Sequence, residues 1–169
     1  MIQLSERLLA MEESATIAMS RKSRELKAQG KDVISLSLGE PDFNTPQFIK
    51  DAATEAMDNN FTKYMPVPGY DDLRESISNK FKRDNNLNYD KDQIVVSTGA
   101  KQSIANVVLT LINPGDEVII PAPFWVSYIE IVKVAGGIPI LVNAGIDKDF
   151  KIDGKDLENA ITAKTKLMI

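Results

Sequence analysis

The sequence predicts an α/β fold of three layers, in which helices cover both faces of a mostly parallel sheet. Short apolar runs of strand length at residues 94–96 and 117–120 alternate with longer segments of helical periodicity. The clearest helix spans residues 100–112. Its predicted apolar face comprises Ile104, Val107, Val108, Leu111 and Ile112. Strands separated by helices pair in parallel, and such sheets bind ligands at the carboxyl ends of their strands.

The other predicted elements follow in chain order. Helices are expected over residues 14–29, from Pro46 as the first helical residue, after Gly69, and over residues 125–135 and 156–161. Strands are expected over residues 33–38, 138–142 and 167–169. The last strand is apolar up to the final residue, where a buried carboxylate would be costly to desolvate. The chain is therefore expected to be a truncated part of a longer protein.

Composition excludes several kinds of chemistry. The 169 residues include no cysteine and no histidine, which excludes disulfides, thiolate nucleophiles, Ser-His-Asp triads and the common zinc sites. No metal site is expected. A net charge of −4 argues against nucleic acid as a partner. Without a signal peptide or an apolar run of about 20 residues, the chain is expected to be cytoplasmic and to have no membrane segment.

A candidate anion site lies where the strand at residues 94–96 leads into the next helix. Gly99 allows a tight turn. The helix from Ala100 begins with backbone N–H groups that have no carbonyl acceptor within the helix. Ser97, Thr98 and Lys101 add hydroxyls and a positive charge. The Walker and Rossmann glycine patterns are absent, which favours a small phosphorylated ligand over a nucleotide. An ordinary strand-to-helix turn is the alternative.

Three further residues follow predicted strands or turns. Trp125, the only tryptophan, could offer its indole face to a flat ligand, or it could be a core residue. Gly39 permits close backbone approach, so its N–H could meet a carboxylate. Tyr64 could donate a hydrogen bond to a phosphate, although a tyrosine before a turn is more often structural.

Six segments together resemble the class I and II aminotransferases, in particular the aspartate aminotransferase family of pyridoxal-phosphate fold type I. These segments are SAT at 14–16, GEPDFNTP at 39–46, KY and PG within 63–69, GAKQ at 99–102, PGDEV at 114–118, and FWVSY and GG within 124–137. Residues 1–45 would form an N-terminal arm with the first helix and strand of the small domain. Residues 46–169 would form an incomplete pyridoxal-phosphate-binding large domain.

The resemblance implies pyridoxal 5'-phosphate as the cofactor. Gly99, Ala100 and Lys101 would hold its phosphate group, and Trp125 would stack on its ring and touch the substrate. Tyr64 is similar to a tyrosine that reaches the phosphate of the neighbouring subunit, which implies a homodimer.

The resemblance also implies amino-group transfer between an amino acid, with aspartate favoured, and a 2-oxo acid. Gly39 would donate its backbone N–H to the substrate carboxylate. The Schiff-base lysine of the family would lie beyond Ile169, so no catalytic residue is assigned here and the chain alone is expected to be inactive. Glu12 replaces a lysine of relatives that accept prephenate, which argues against that substrate. The alternatives are an alanine or aromatic aminotransferase, or a non-catalytic ligand-binding protein of the same fold.

Overall fold

The structure is a computed structural model that describes residues 3–169. Within these residues it contains seven α-helices, three β-strands and two short 3-10 helices, Lys91–Gln93 and Ile146–Lys148. The helices are α1 (Glu6–Leu9), α2 (Ala15–Ala28), α3 (Gln47–Asp58), α4 (Asp71–Asn85), α5 (Ala100–Leu111), α6 (Ser127–Val134) and α7 (Gly154–Ala160). The strands are β1 (Glu117–Ala122), β2 (Ile138–Asn143) and β3 (Thr165–Met168).

The described residues form two compact units. One combines the chain up to Leu38 with Lys101–Ile169 and contains the whole sheet. The other is Gly39–Ala100, which contains α3 and α4. Each unit is described by itself below.

The sheet has three parallel strands in the order β2-β1-β3, so the parallel α/β prediction is confirmed. In the central strand β1, Val118, Ile119 and Ile120 are at most 1% exposed. The central strand of a parallel sheet is covered on both faces, which explains why these residues form a continuous apolar run instead of an alternating one. Helix α6 connects β1 to β2, and α7 connects β2 to β3.

The core of this unit joins β1 to α5 and α6. Its buried cluster consists of Val108, Ile112, Val118, Ile120 and Val132. Burying one such aliphatic side chain stabilises the fold by about 1.5–3 kcal/mol, so this cluster anchors α5 firmly. A Cβ at Gly137 would lie 2.7 Å from Ile112 Cγ2 and 3.0 Å from Val132 Cγ1. Close packing at this point therefore requires glycine.

Two predicted strands are wrong. Residues 33–38 and 94–96 have no strand neighbour among residues 3–169. In the first segment Ile34 is 85% and Leu36 is 90% exposed, so the alternating pattern has no buried face here. Period-two alternation predicts which side of a strand is apolar, but a strand also needs a hydrogen-bonding neighbour, which the pattern cannot supply.

The helices are confirmed, with local corrections. Pro46 is the residue before α3 rather than its first helical residue. On the predicted face of α5, Val107 is 48% and Leu111 is 44% exposed, so that face is narrower than expected. The predicted helix at 125–135 begins later, at Ser127. Helix α7 begins earlier than predicted, because Asp153 accepts a hydrogen bond from the Asp156 backbone N–H and caps it.

The described part of the chain lacks two features. Over residues 3–169 no helix is long and apolar enough to cross a membrane. Within the same residues no group of three or more acidic side chains could hold a metal ion.

Candidate functional site

The turn before α5 is built around Gly99. Its φ of +87° lies in the left-handed region, which an L-residue with a side chain adopts only at a cost. Its N–H donates to the Ser97 carbonyl oxygen at 2.8 Å. Among the described residues, no atom lies within 4 Å of a Cβ built on Gly99. Glycine is therefore required by the backbone conformation and not by crowding, and the turn leaves room for a ligand to approach.

Helix α5 begins immediately after this turn, at Ala100. The N-terminus of a helix carries a partial positive charge and N–H groups that can donate hydrogen bonds to an anion. The first turn of α5 contains no acidic residue that would occupy these groups, and it contains Lys101. Buried Val108 holds the helix in the core. The arrangement can bind a phosphate through backbone donors and one ammonium group.

Lys101 and Trp125 are brought together within one unit. The Lys101 Nζ lies 5.7 Å from the centroid of the Trp125 ring, within range of a cation–π contact. Trp125 is 50% exposed, so it does not belong to the core that the described residues form. The Tyr128 N–H donates to its carbonyl oxygen at 3.0 Å, which ties the tryptophan to the start of α6. A half-exposed indole with an ammonium beside it is available to a flat anionic ligand.

The N-terminal segment at residues 11–17 belongs to the same unit. A cavity of about 360 Å³ is lined by Lys101 and by residues of the N-terminal segment, including Glu12. The Glu12 backbone N–H donates to Glu130 Oε2 at 3.1 Å, and the Lys133 ammonium donates to Glu130 Oε1 at 3.0 Å. Sequence reasoning missed Glu130. The available signal was an acid on an otherwise apolar helix, three residues before a lysine.

Tyr64 and Gly39 lie at the surface of the other unit. The Tyr64 side chain is fully exposed. Gly39 is exposed too, and within the described residues no atom lies within 4 Å of a Cβ built on it. The structure therefore brings Lys101 and Trp125 together in space. Gly99 and Ala100 are next to Lys101 in the chain. For Tyr64 and Gly39 it shows only that both residues are accessible.

Pyridoxal 5'-phosphate is compatible with these residues. Its phosphate group needs N–H donors and positive charge, which the turn at Gly99 and the first turn of α5 supply without an opposing carboxylate. Its flat ring needs an accessible aromatic face, which Trp125 supplies. The open space at Gly99 removes any steric objection on that side.

The fold and these residues together describe an α/β protein with a candidate phosphate-binding helix terminus and an accessible tryptophan. Residues 31–169 match the family model described as aminotransferase class I and II. The chain therefore belongs to the class I and II aminotransferase family.

Individual relatives agree with this family. An aspartate/prephenate aminotransferase of Nitrosomonas europaea is 50% identical over 168 residues, which are 99% of this chain and 42% of the relative. An aspartate aminotransferase of Bacillus subtilis is 49% identical over 99% of this chain and 43% of the relative. The solved structure of Thermus thermophilus aspartate aminotransferase with maleate is 42% identical with a TM-score of 0.94, over 99% of this chain and 44% of that one. This chain thus spans less than half the length of these relatives.

Proposed function

We propose that, in a polypeptide as long as its relatives, this chain forms part of a pyridoxal-phosphate-dependent aminotransferase. The reaction is amino-group transfer between an amino acid, with aspartate as the first choice, and a 2-oxo acid. Family membership and the names of the relatives support this activity. The structural observation that carries the proposal is the first turn of α5, which follows Gly99 and contains no acidic residue. Lys101 in this turn contacts the exposed Trp125.

Each candidate residue has a binding role. The turn at Gly99, the backbone N–H of Ala100 and the Lys101 ammonium would hold the phosphate group of the cofactor; Gly99 would contribute its conformation and open space, since its own N–H donates to the Ser97 carbonyl oxygen. Trp125 would lie against its ring and exclude water from that face. When bound, pyridoxal phosphate supplies the electron sink that stabilises a carbanion at the amino-acid Cα. None of the lysines in this chain is assigned the covalent attachment of the cofactor.

The substrate side involves Gly39, Trp125 and Glu12. Gly39 would donate its N–H to the substrate carboxylate, and its open surroundings permit that approach. The Thermus relative was solved with maleate, a dicarboxylate, which supports a dicarboxylic amino acid as the substrate. Glu12 lines the cavity that also contains Lys101 and stands where relatives that accept prephenate have a lysine, so prephenate would be the poorer substrate.

The assembly and the location are part of the same proposal. Tyr64 would reach the cofactor phosphate of a neighbouring subunit in a homodimer, and its complete exposure suits a contact outside its own chain. Residues 46–169 would contribute to the large, cofactor-binding domain. Residues 1–45 would contribute an arm and part of the small domain. The protein would act in the cytoplasm.

The proposal is tested on the protein expressed from its complete coding sequence. With pyridoxal phosphate and 2-oxoglutarate present, we expect glutamate to form when aspartate is the donor, and more slowly when alanine or phenylalanine is the donor. With prephenate in place of 2-oxoglutarate as the acceptor, we expect slower consumption of aspartate. The 169-residue chain assayed alone is expected to form none. A complete protein that binds no pyridoxal phosphate, or a 169-residue chain that transaminates aspartate, would contradict the proposal.

A further inference from the structure

Two segments of the unit Gly39–Ala100 are joined by a short set of contacts. The Val96 backbone N–H donates to the Pro68 carbonyl oxygen at 2.9 Å. The Gly69 N–H donates to the Pro66 carbonyl oxygen at 2.9 Å, which closes the turn before α4. Gly69 is buried. The segment that was predicted as a strand at 94–96 is therefore held by a turn, and not by a neighbouring strand.

Gly69 is required at this contact for two independent reasons. Its φ of +105° is a conformation that residues with a side chain rarely adopt. In addition, a Cβ at this position would lie 2.8 Å from Val96 Cγ2 and 3.0 Å from Val96 Cβ. A Cβ essentially never lies closer than 3.0 Å to an atom outside its own residue and its two chain neighbours. Any side chain at residue 69 would thus push Val96 away.

The contact lies between two groups that are proposed to bind phosphate. Val96 is followed, after Ser97 and Thr98, by Gly99 at the start of α5. On the other side, Tyr64 precedes a segment that contains Pro66 and Pro68, whose rings restrict φ and stiffen the connection. A displacement of Val96 would consequently move the Gly99 turn, the Tyr64 segment, or both.

We propose that Gly69 is a positioning residue: its contact with Val96 sets the spacing between the Gly99 turn and the Tyr64 segment. The inference rests on the proposed function, because it assumes that both segments hold a phosphate group. If the protein is a homodimer, Gly99 would serve the cofactor of its own subunit and Tyr64 that of the partner. One contact would then align residues for two cofactor sites.

The test compares Gly69→Ala with Gly30→Ala in the protein expressed from its complete coding sequence. Gly30 has a φ of +75°, so alanine there meets the same kind of backbone strain. Within residues 3–169, however, no atom lies within 4 Å of a Cβ built on Gly30. Pyridoxal phosphate affinity is measured by equilibrium dialysis. We expect Gly69→Ala to weaken it about tenfold or more, since small misplacements of binding groups are costly, and Gly30→Ala by less than about twofold.

A second substitution separates crowding from backbone strain. Val96→Ala removes the Cγ2 atom at 2.8 Å but leaves the Cβ at 3.0 Å, so Gly69→Ala/Val96→Ala should recover part of the lost affinity. A purely structural role for Gly69 would give no such recovery at equal folded fraction. If Gly69→Ala does not fold, the double variant is compared with Val96→Ala alone; it should still bind more weakly, because the Cβ contact at 3.0 Å remains, and equal affinity of the two would contradict the positioning role.

The outcomes distinguish the inference from the function on which it rests. If the unsubstituted protein binds no pyridoxal phosphate, the proposed function fails. If it binds, but Gly69→Ala and Gly30→Ala weaken binding equally, or Val96→Ala restores nothing, the positioning role of Gly69 is wrong while the proposed function stands.

Discussion

Helices α4 and α5 begin in chemically opposite ways. The first turn of α4 contains Asp71 and Asp72. Asp71 accepts hydrogen bonds from the Arg74 guanidinium at 2.6 Å and the Lys91 ammonium at 2.9 Å. The first turn of α5 contains no acid, follows a glycine in the left-handed region and has Lys101 instead. Both helices have the same dipole, yet only α4 places its own carboxylates at the positive end.

The difference shows which helix terminus is available to a ligand. In α4 the acids compensate the dipole, and Asp71 is itself paired with Arg74 and Lys91, so the terminus is a structural element. In α5 the first turn supplies backbone donors and the positive charge of Lys101 without an acidic side chain of its own, so an anion from outside can approach it without meeting a carboxylate there. Neither feature is sufficient alone, since acid-free first turns also occur in α2 and α3 and glycines with positive φ also occur at Gly30, Gly115 and Gly136. The combination of the two, together with Lys101, distinguishes the start of α5.

The largest expected effect comes from giving α5 the charge that α4 already has. In the protein expressed from its complete coding sequence, Lys101→Glu removes a phosphate ligand and places a repelling carboxylate in the first turn. We expect the affinity for pyridoxal phosphate to fall about 100-fold, or roughly 2.7 kcal/mol, as measured by equilibrium dialysis.

Lys50→Glu is the matched control for that substitution. Lys50 lies in the first turn of α3, which also lacks an acidic residue, and no ligand is proposed there. The same charge reversal should leave cofactor affinity within about twofold and stabilise α3 by about 0.3–1 kcal/mol through the helix dipole. Equal losses of cofactor affinity in the two variants would show that the net charge of the protein determines the effect, and not the location of Lys101 in the first turn of α5.

A smaller effect is expected from Gly99→Ala. Alanine at a φ of +87° should destabilise the protein by about 1–2 kcal/mol and distort the turn, which we expect to weaken cofactor binding about tenfold. Gly115→Ala introduces strain at a φ of +90°, at a place also free of neighbouring atoms among the described residues. Thermal unfolding should therefore change similarly in both variants, whereas only Gly99→Ala should lose affinity. If Gly115→Ala loses as much, the turn has no specific role.

The smallest expected effect is a different pH dependence at the starts of the two helices, of stability at α4 and of phosphate binding at α5. The Arg74 guanidinium, and then the Lys91 ammonium, lower the pKa of Asp71 below its ordinary value of about 4. The stabilising effect of Asp71 is therefore complete above that value and is lost as pH falls through its lowered folded-state pKa. Phosphate binding at α5 should instead weaken below pH about 6, where a phosphate ester takes up a proton.

Asp71→Asn provides the measurement for that separation. Between about pH 5 and 3, where carboxyl groups titrate, the variant should lose less stability than the unsubstituted protein, as measured by denaturant unfolding. Its cofactor affinity at pH 7 should be unchanged. If the variant loses as much stability at acid pH as the unsubstituted protein, Asp71 makes no net contribution to stability at the start of α4.

The sequence predicted the sheet and most helices because their signals are local. The run at β1 is continuous because that strand is covered on both faces, and α5 buries Val108 and Ile112 as its periodicity indicated. The segments at 33–38 and 94–96 were mispredicted because pairing depends on a second strand, which a single segment does not encode. Their exposed residues, such as Ile34 and Leu36, follow from the absence of such a strand in the described residues.

The candidate site was predictable only in part. Gly99 and Ala100 could be identified because a glycine between an apolar run and a helix is visible in the sequence. The contact of Lys101 with Trp125 could not, since the two residues are distant in the chain and meet only through the packing of α5 and the start of α6. Glu130 was missed for the same reason, because its hydrogen bond to Glu12 joins segments that are far apart in sequence.

The most direct test compares pyridoxal 5'-phosphate with pyridoxal, which lacks only the phosphate group. In equilibrium dialysis with the protein expressed from its complete coding sequence, we expect the phosphorylated form to bind at least about 100-fold more tightly, and Lys101→Glu to abolish most of that difference. Equal binding of the two compounds, or a difference that Lys101→Glu leaves intact, would contradict a phosphate site at the start of α5.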